Sequence, residues 1–219
     1  MPFLFAKKVA SEYMAVVNKT SFAIVLFVAA IGLFASGCQF FRAGYESAGF
    51  RVVRVDGKFQ LRDYSALVVA ETPMTGGDDG SFMRLFRFIS GKNQSREKIA
   101  MTTPVFISGS GTNATMSFVM PAKFKAGEVP NPENPQVRVH EVSPGCFAVL
   151  RFSGGRHSNN QAKALASLQT WMKAQGLKEL SQPIYGYFDP PWTPSFLRRN
   201  EVMIRTEPEP EPSFPPAAK

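Results

Sequence analysis

From about residue 50 to residue 206 the hydrophobic and polar positions run through one pattern twice. The first pass opens with KFQLRD (58–63) and ALVVAE (66–71), joined by Tyr64-Ser65. Alternation with a period of two predicts strands, since successive strand side chains point to opposite faces. A helix follows Asp78-Asp79, because Phe82, Leu85, Phe86 and Ile89 fall at i, i+3, i+4 and i+7. Asp is a favourable N-cap, and Gly91 is placed to stop the helix. Two further strands, KIAMTTPVFI (98–107) and ATMSFVM (114–120), flank the turn-rich SGSGTN. Within the first of them Pro104 lacks an N–H, which predicts an edge strand or a bulge there, and Thr103 before it is held extended.

The second pass keeps the order. QVRVHEV (136–142) and CFAVLRFS (146–153) surround the turn Ser143-Pro144-Gly145. A helix runs from about Asn160 to Gln175, with Leu165, Leu168 and Met172 on one face and Gly176 after it. QPIYGYF (182–188) and NEVMIRT (200–206) finish the arm, and the Pro/Asn-rich KAGEVPNPENP (125–135) links the two halves. Neither arm buries both faces of its own sheet. The fold class is therefore α+β: duplicated ββαββ arms form a distorted eight-stranded antiparallel barrel-like sheet, with two helices packed outside around a pseudo-twofold.

The ends read differently. FAIVLFVAAIGLFASGC (22–38) is apolar throughout, follows Lys7, Lys8 and Lys19, and ends in small residues before Cys38. Residues 1–38 thus read as a lipoprotein signal with Cys38 as the lipidated residue, or as an uncleaved membrane anchor. Either places the chain at a membrane, facing the cell envelope or periplasm. EPEPEPSFPPAAK (207–219) is a Pro/Glu tail that neither helix nor ladder accommodates.

Composition narrows the chemistry. Among 219 residues the formal charge is +8, and Phe occurs 20 times against 2 Trp and 5 Tyr. The cations are scattered and do not alternate with stacking aromatics, which argues against nucleic acid and for anionic small ligands or an anionic membrane surface. Two cysteines, Cys38 and Cys146, and two histidines, His140 and His157, give neither a disulfide framework nor a zinc site. There is no Gly-x-Ser-x-Gly, phosphate loop or dinucleotide fingerprint, and Glu71, Glu97, Glu141 and Glu201 read as strand-edge or arm-end acids. No enzymatic activity is expected.

KIAMTTPV (98–105), GYFDPPWTPSFLRRNEV (186–202) and FQLRDYSALVVAET (59–72) resemble the SOUL heme-binding protein family over residues 45 to 206. The resemblance implies the same duplicated barrel and binding of heme or a related tetrapyrrole in a shallow apolar cleft beside the first helix. By motif position that cleft comprises Phe82, Met83, Phe86 and Arg87, with Pro194–Phe196 opposite. Some members place an iron-ligating histidine after the first strand; here the position holds Asp63, so apolar contacts and basic groups at the propionates are expected to hold the ligand instead. Arg84 or Arg87 suits a propionate, because guanidinium pairs carboxylate bidentately. His140 is a candidate for the iron, and lies near the repeat equivalent of Arg62 or Asp63. Tyr64, Tyr185 and Tyr187 as phenolates, or Met101 and Met120 as thioethers, are further possible ligands that read more simply as pocket walls and core.

The function so implied is a membrane-tethered tetrapyrrole-binding protein for buffering or delivery. The alternatives are a binding module for other amphipathic molecules, and an envelope interaction protein acting through the acidic tail.

Overall fold

A computed structural model describes residues 44–74, 80–155 and 158–208. The 22–38 segment with Cys38, the Asp78-Asp79 pair, His157 and the tail from 209 onward lie outside the described residues.

Among the described residues, eleven strands and two α-helices follow one another as β1 (Glu46–Ser47), β2 (Phe50–Asp56), β3 (Phe59–Tyr64), β4 (Leu67–Pro73), α1 (Ser81–Ile89), β5 (Thr102–Thr103), β6 (Val105–Ser108), β7 (Thr115–Val119), β8 (Arg138–Val142), β9 (Gly145–Phe152), α2 (Ser158–Ala174), β10 (Ile184–Tyr187) and β11 (Asn200–Thr206). Nine strands form one antiparallel sheet in the order β2-β3-β9-β11-β10-β6-β7-β4-β8. With β2 set aside, the order reads the same from either end once the arms are exchanged. The first strand of each arm crosses to the other: β3 pairs with β9, and β8 with β4. The twofold passes through the β6–β10 pair at the centre.

The expected eight strands are joined by β2, whose FRVVRVD alternates only weakly and which pairs along β3 with a register shift between Val52 and Arg54. The expected strand 98–107 is broken. Residues 98–101 are irregular, β5 pairs in parallel with β1, and β6 enters the large sheet. Pro104, following a cis peptide bond, sits where the chain passes from one sheet to the other. A residue without an N–H is accommodated there because it owes no ladder bond to either sheet. The linker 125–135 is also docked: Val129 is buried in the core cluster that holds Leu85, Phe88 and Ile89, and Asn131 accepts a backbone hydrogen bond from Gln94.

Both helices cover the same face of the sheet. Leu85, Phe88 and Ile89 of α1 pack on Ala70, Met116 and Phe118, while Ala164, Leu168, Trp171 and Met172 of α2 pack on Leu61, Ala148, Leu150, Val202 and Ile204. Alternation sends the intervening residues to the helix-free face. There Tyr64, Val69, Phe106, Phe147, Val149 and Met203 form a third cluster, buried by the curl of the sheet itself. Gly91 (φ 105°) and Gly176 (φ 68°) follow the two helices in the left-handed conformation, as expected of helix stops.

Candidate functional site

The first helix covers its whole hydrophobic pattern, from Ser81 to Ile89. Gly80, not an Asp, is its N-cap, and no side chain caps it. Instead Ser81 Oγ donates to the Pro73 carbonyl (3.2 Å), and Arg84 donates to Thr72 Oγ1 (3.1 Å) and to the same carbonyl (2.7 Å). These bonds hold the start of α1 to the end of β4. Arg84, a candidate for a ligand's acidic edge, is thus engaged in holding the helix.

The four residues that predicted the helix divide between two environments. Leu85 and Ile89 are in the core with Phe88, whereas Phe82 and Phe86 are each 41% exposed and Met83 is 46% exposed. The two Phe rings stack with centroids 6.1 Å apart and planes 12° apart, and Phe82 meets the buried Phe118 edge-on at 5.2 Å. An apolar platform is therefore fixed to the core through one ring and open to solvent on its outer side. Contiguous exposed apolar surface of this kind marks ligand or partner contact more often than chance. Below the helix, Arg84, Arg87 and Lys92 border an opening of about 320 Å³ together with Glu133, Asn134 and Pro135. Lys92 was not singled out by sequence; its position after the helix stop is set by Asn93. That side chain is fully buried, and it donates to the carbonyls of Phe88 (3.0 Å) and Glu97 (2.8 Å).

Phe196 lies elsewhere. It is 71% exposed and lines a groove with Phe50, Val52 and Arg151 that contains no residue of α1. Asp63, at the family's histidine position, is ion-paired with Arg51. His140 is exposed on the edge strand β8. Its neighbour Val139 packs against the α1 cluster, so strand alternation turns His140 to the opposite face of the sheet from α1. Across the ladders Leu61 faces Ala148 and Val139 faces Ala70, which makes His140 the repeat counterpart of Arg62.

The tyrosines are committed to the fold. The Tyr64 hydroxyl accepts from Arg62 Nη1 (3.2 Å), and the Tyr187 hydroxyl accepts from Gln161. Burial pushes the Tyr64 phenol up, an effect that the Arg62 charge only partly offsets, and burial raises that of Tyr185 too. Raised phenols resist becoming the phenolates that iron requires. Met101 and Met120 belong to the α1 core cluster.

Glu201 departs from its expectation as a strand-edge acid. It lies on β11, inside the sheet, and is fully buried. Arg62 reaches it with two bonds, 2.7 and 3.0 Å, and Arg199 with two more, 3.0 and 2.6 Å. Burial alone would raise its carboxyl, but the hydrogen bonds and charge of Arg62, then of Arg199, hold it below the ordinary carboxylate value. Among the described residues no group of three His, Cys, Asp or Glu side chains converges on a metal position.

The arrangement as a whole, two helices on one face of a duplicated antiparallel sheet with an apolar platform on the first, has a counterpart in sequence. Residues 45–205 match the sequence model of the SOUL heme-binding protein family. The chain belongs to the SOUL heme-binding protein family. No curated protein sequence matches it significantly. Solved structures share the SOUL architecture at low identity. A hydrolase from Listeria innocua superposes with a TM-score of 0.53 at 10% identity, over 71% of this chain and 94% of that one. An uncharacterized conserved protein from Listeria innocua gives 0.51 at 12%, over 68% and 92%. EcmrR in a complex with DNA gives 0.51 at 14%, over 68% of this chain and 58% of that one. At such identities the likeness is one of fold.

Membership of the SOUL family points to heme or a related tetrapyrrole as ligand class, and the residues beside α1 suit that group. The stacked Phe82 and Phe86 offer apolar surface of the kind a macrocycle would need, and Arg87 and Lys92 offer positive charge of the kind its carboxylates would need. No histidine among the described residues shares the sheet face that carries α1.

Proposed function

We propose that this protein binds heme or a related tetrapyrrole on the outer side of α1, holds it reversibly by apolar contact and charge, and performs no chemistry on it. The observation that carries this reading is the pair Phe82 and Phe86, stacked, anchored on Phe118 and open to solvent, with Met83 beside them. Two aromatic faces supply the contact area a flat macrocycle needs, and Arg87 and Lys92, at the opening beside the helix, are cations suited to its carboxylates. Asp63, Tyr64 and Tyr187 are engaged, His140 is turned away, and Tyr185 packs against the α2 cluster, so the reading assigns no protein side chain to iron.

The experiment is a titration of the purified full chain with hemin, followed by the Soret band and by protein fluorescence. Saturable binding at micromolar hemin that is lost in Phe82→Ser/Phe86→Ser supports the reading. Absence of any saturable Soret change sinks it.

The apolar run 22–38 and Cys38 support a further part of the proposal: the binding domain is held at a membrane, in the cell envelope, where it buffers or delivers its ligand. Mass analysis of the native protein decides this. A mature chain beginning at a lipidated Cys38, or an intact chain extracted only with membranes, supports tethering; an intact chain recovered without membranes refutes it.

A further inference from the structure

The helix-free face carries an opening of about 950 Å³ at the β2-β3-β9-β11 end of the sheet, whereas α1 packs toward the other end, on β4 and β7. Its lining contains five cationic residues, Lys58, Arg62, Arg151, Arg198 and Arg199, and no Asp or Glu. The acid nearest in the network, Glu201, is fully buried and already holds both Arg62 and Arg199, so one carboxylate faces two guanidiniums. Arg198 donates to the carbonyls of Thr193 (2.7 Å) and Pro191, which fix its position without neutralising it. Asp189 accepts the Arg199 backbone N–H from the same loop, so Glu201 and Asp189 stand beside five cations and the groove carries a net excess of positive charge.

Its remaining wall is apolar. Phe50 and Val52 come from the strand that extends the repeat, and Phe196 and Leu197 from the turn before β11. Phe50, Val52 and Phe196 are all among the exposed large hydrophobic side chains. Arg62 lies over the Phe50 ring, 4.2 Å from its centroid, so cation and aromatic surface are fixed together and not merely adjacent. An inorganic anion would leave the apolar wall wet. A neutral apolar molecule would bury cations without an opposite charge. The ligand that satisfies both walls has an apolar body and an anionic head.

We propose that this groove is a second binding site, for a monomeric amphipathic anion bearing a carboxylate or phosphate head. The head meets Lys58, Arg151 and Arg198, and the body lies along Phe50, Val52 and Phe196. The site is independent of the tetrapyrrole reading, because no residue of α1 lines it.

The test titrates the purified full chain calorimetrically with dodecyl phosphate below its micelle-forming concentration, with dodecyltrimethylammonium and inorganic phosphate as controls. One-to-one binding of dodecyl phosphate, on the order of tenfold or more tighter than either control, is expected. The exposed pair Lys58→Glu/Arg151→Glu weakens it by on the order of tenfold. Phe196→Ser, at a 71% exposed position and with an unchanged circular dichroism spectrum expected, weakens it as well. Phe82→Ser/Phe86→Ser leaves it unchanged, while hemin binding responds to that pair and not to Lys58 and Arg151, so the two readings fail separately. Equal affinity for the cationic probe, indifference to both groove variants, or binding only to vesicles of anionic lipid overturns the proposal.

Discussion

Arg62 and Glu201, 139 residues apart in the chain, meet on the helix-free face through two parallel hydrogen bonds of 2.7 and 3.0 Å. They belong to the first strand of one arm and the last strand of the other, and β9 lies between those strands in the sheet. Their pairing is thus a register mark for the crossed-over assembly. Arg62 is 3% exposed and Glu201 is fully buried, so neither charge has water as an alternative partner.

Removing one partner leaves a buried charge uncompensated. Glu201→Gln is expected to cost about 3–5 kcal/mol in urea unfolding. Arg62→Met/Glu201→Met should lose less than the sum of the two single changes, because the survivor of each single change is itself a penalty. A neutral Glu201→Gln, or strict additivity, would show that the pair is not a coupled unit.

The same pair sets an acid limit. The Glu201 carboxyl titrates below its ordinary value of 4.5 in the folded state. Its contribution is therefore complete above about pH 4.5 and is lost as pH falls through the lower folded value. Wild-type stability should decline in that acid window, and Glu201→Gln should decline less steeply across it. Equal slopes for the two proteins between pH 5 and the acid transition would contradict the assignment.

Neighbouring phenylalanines of α1 should behave oppositely. Phe88 is 2% exposed, and Phe88→Ala is expected to cost about 3–5 kcal/mol. Phe86→Ser touches a half-exposed ring and should cost no more than about 1 kcal/mol while weakening hemin binding. Thermal unfolding and a Soret titration of the same two variants check both halves of this statement.

His140→Ala should leave the hemin spectrum unchanged, since the ring lies across the sheet from α1. A shift of the Soret maximum in that variant would place the iron on the helix-free face and move the ligand with it.

Trp171 ties the strand that the repeat did not foresee to the second helix. Its Nε1 donates to Asp56 Oδ2 at 2.7 Å, and its ring stacks on Phe59 with centroids 5.0 Å apart. Trp171→Phe keeps the stacking and loses the bond, at a cost of about 1 kcal/mol. Asp56→Ala in that background should then add little, because the bond is already absent. Full additivity in a double-mutant cycle would rule the coupling out.

The sequence by itself determined the duplicated arms, both helices and the α+β class, because those rest on local periodicity. NEVMIRT and FQLRDY each present one face to the α2 core and the other to the helix-free side, and alternation states this without any partner strand. KIAMTTPV and FLRRNEV were specific enough to carry the family. The exchange of β3 and β8 between arms was not legible, since pairing is a relation between distant segments that neither segment encodes alone. Nor was the division of Phe82, Phe86 and Leu85, Ile89 between solvent and core. All four satisfy one helical stripe, and only the rotation of α1 on β4 and β7, held by Arg84 and Ser81, decides which of them face out. Glu201 read as an edge acid for the same reason: its burial depends on β9 and β10 lying on either side, and its charge is sustained only by arginines that the fold brings to it. Periodicity fixes which residues share a face; which face meets helix, water or ligand is set by how the elements pack.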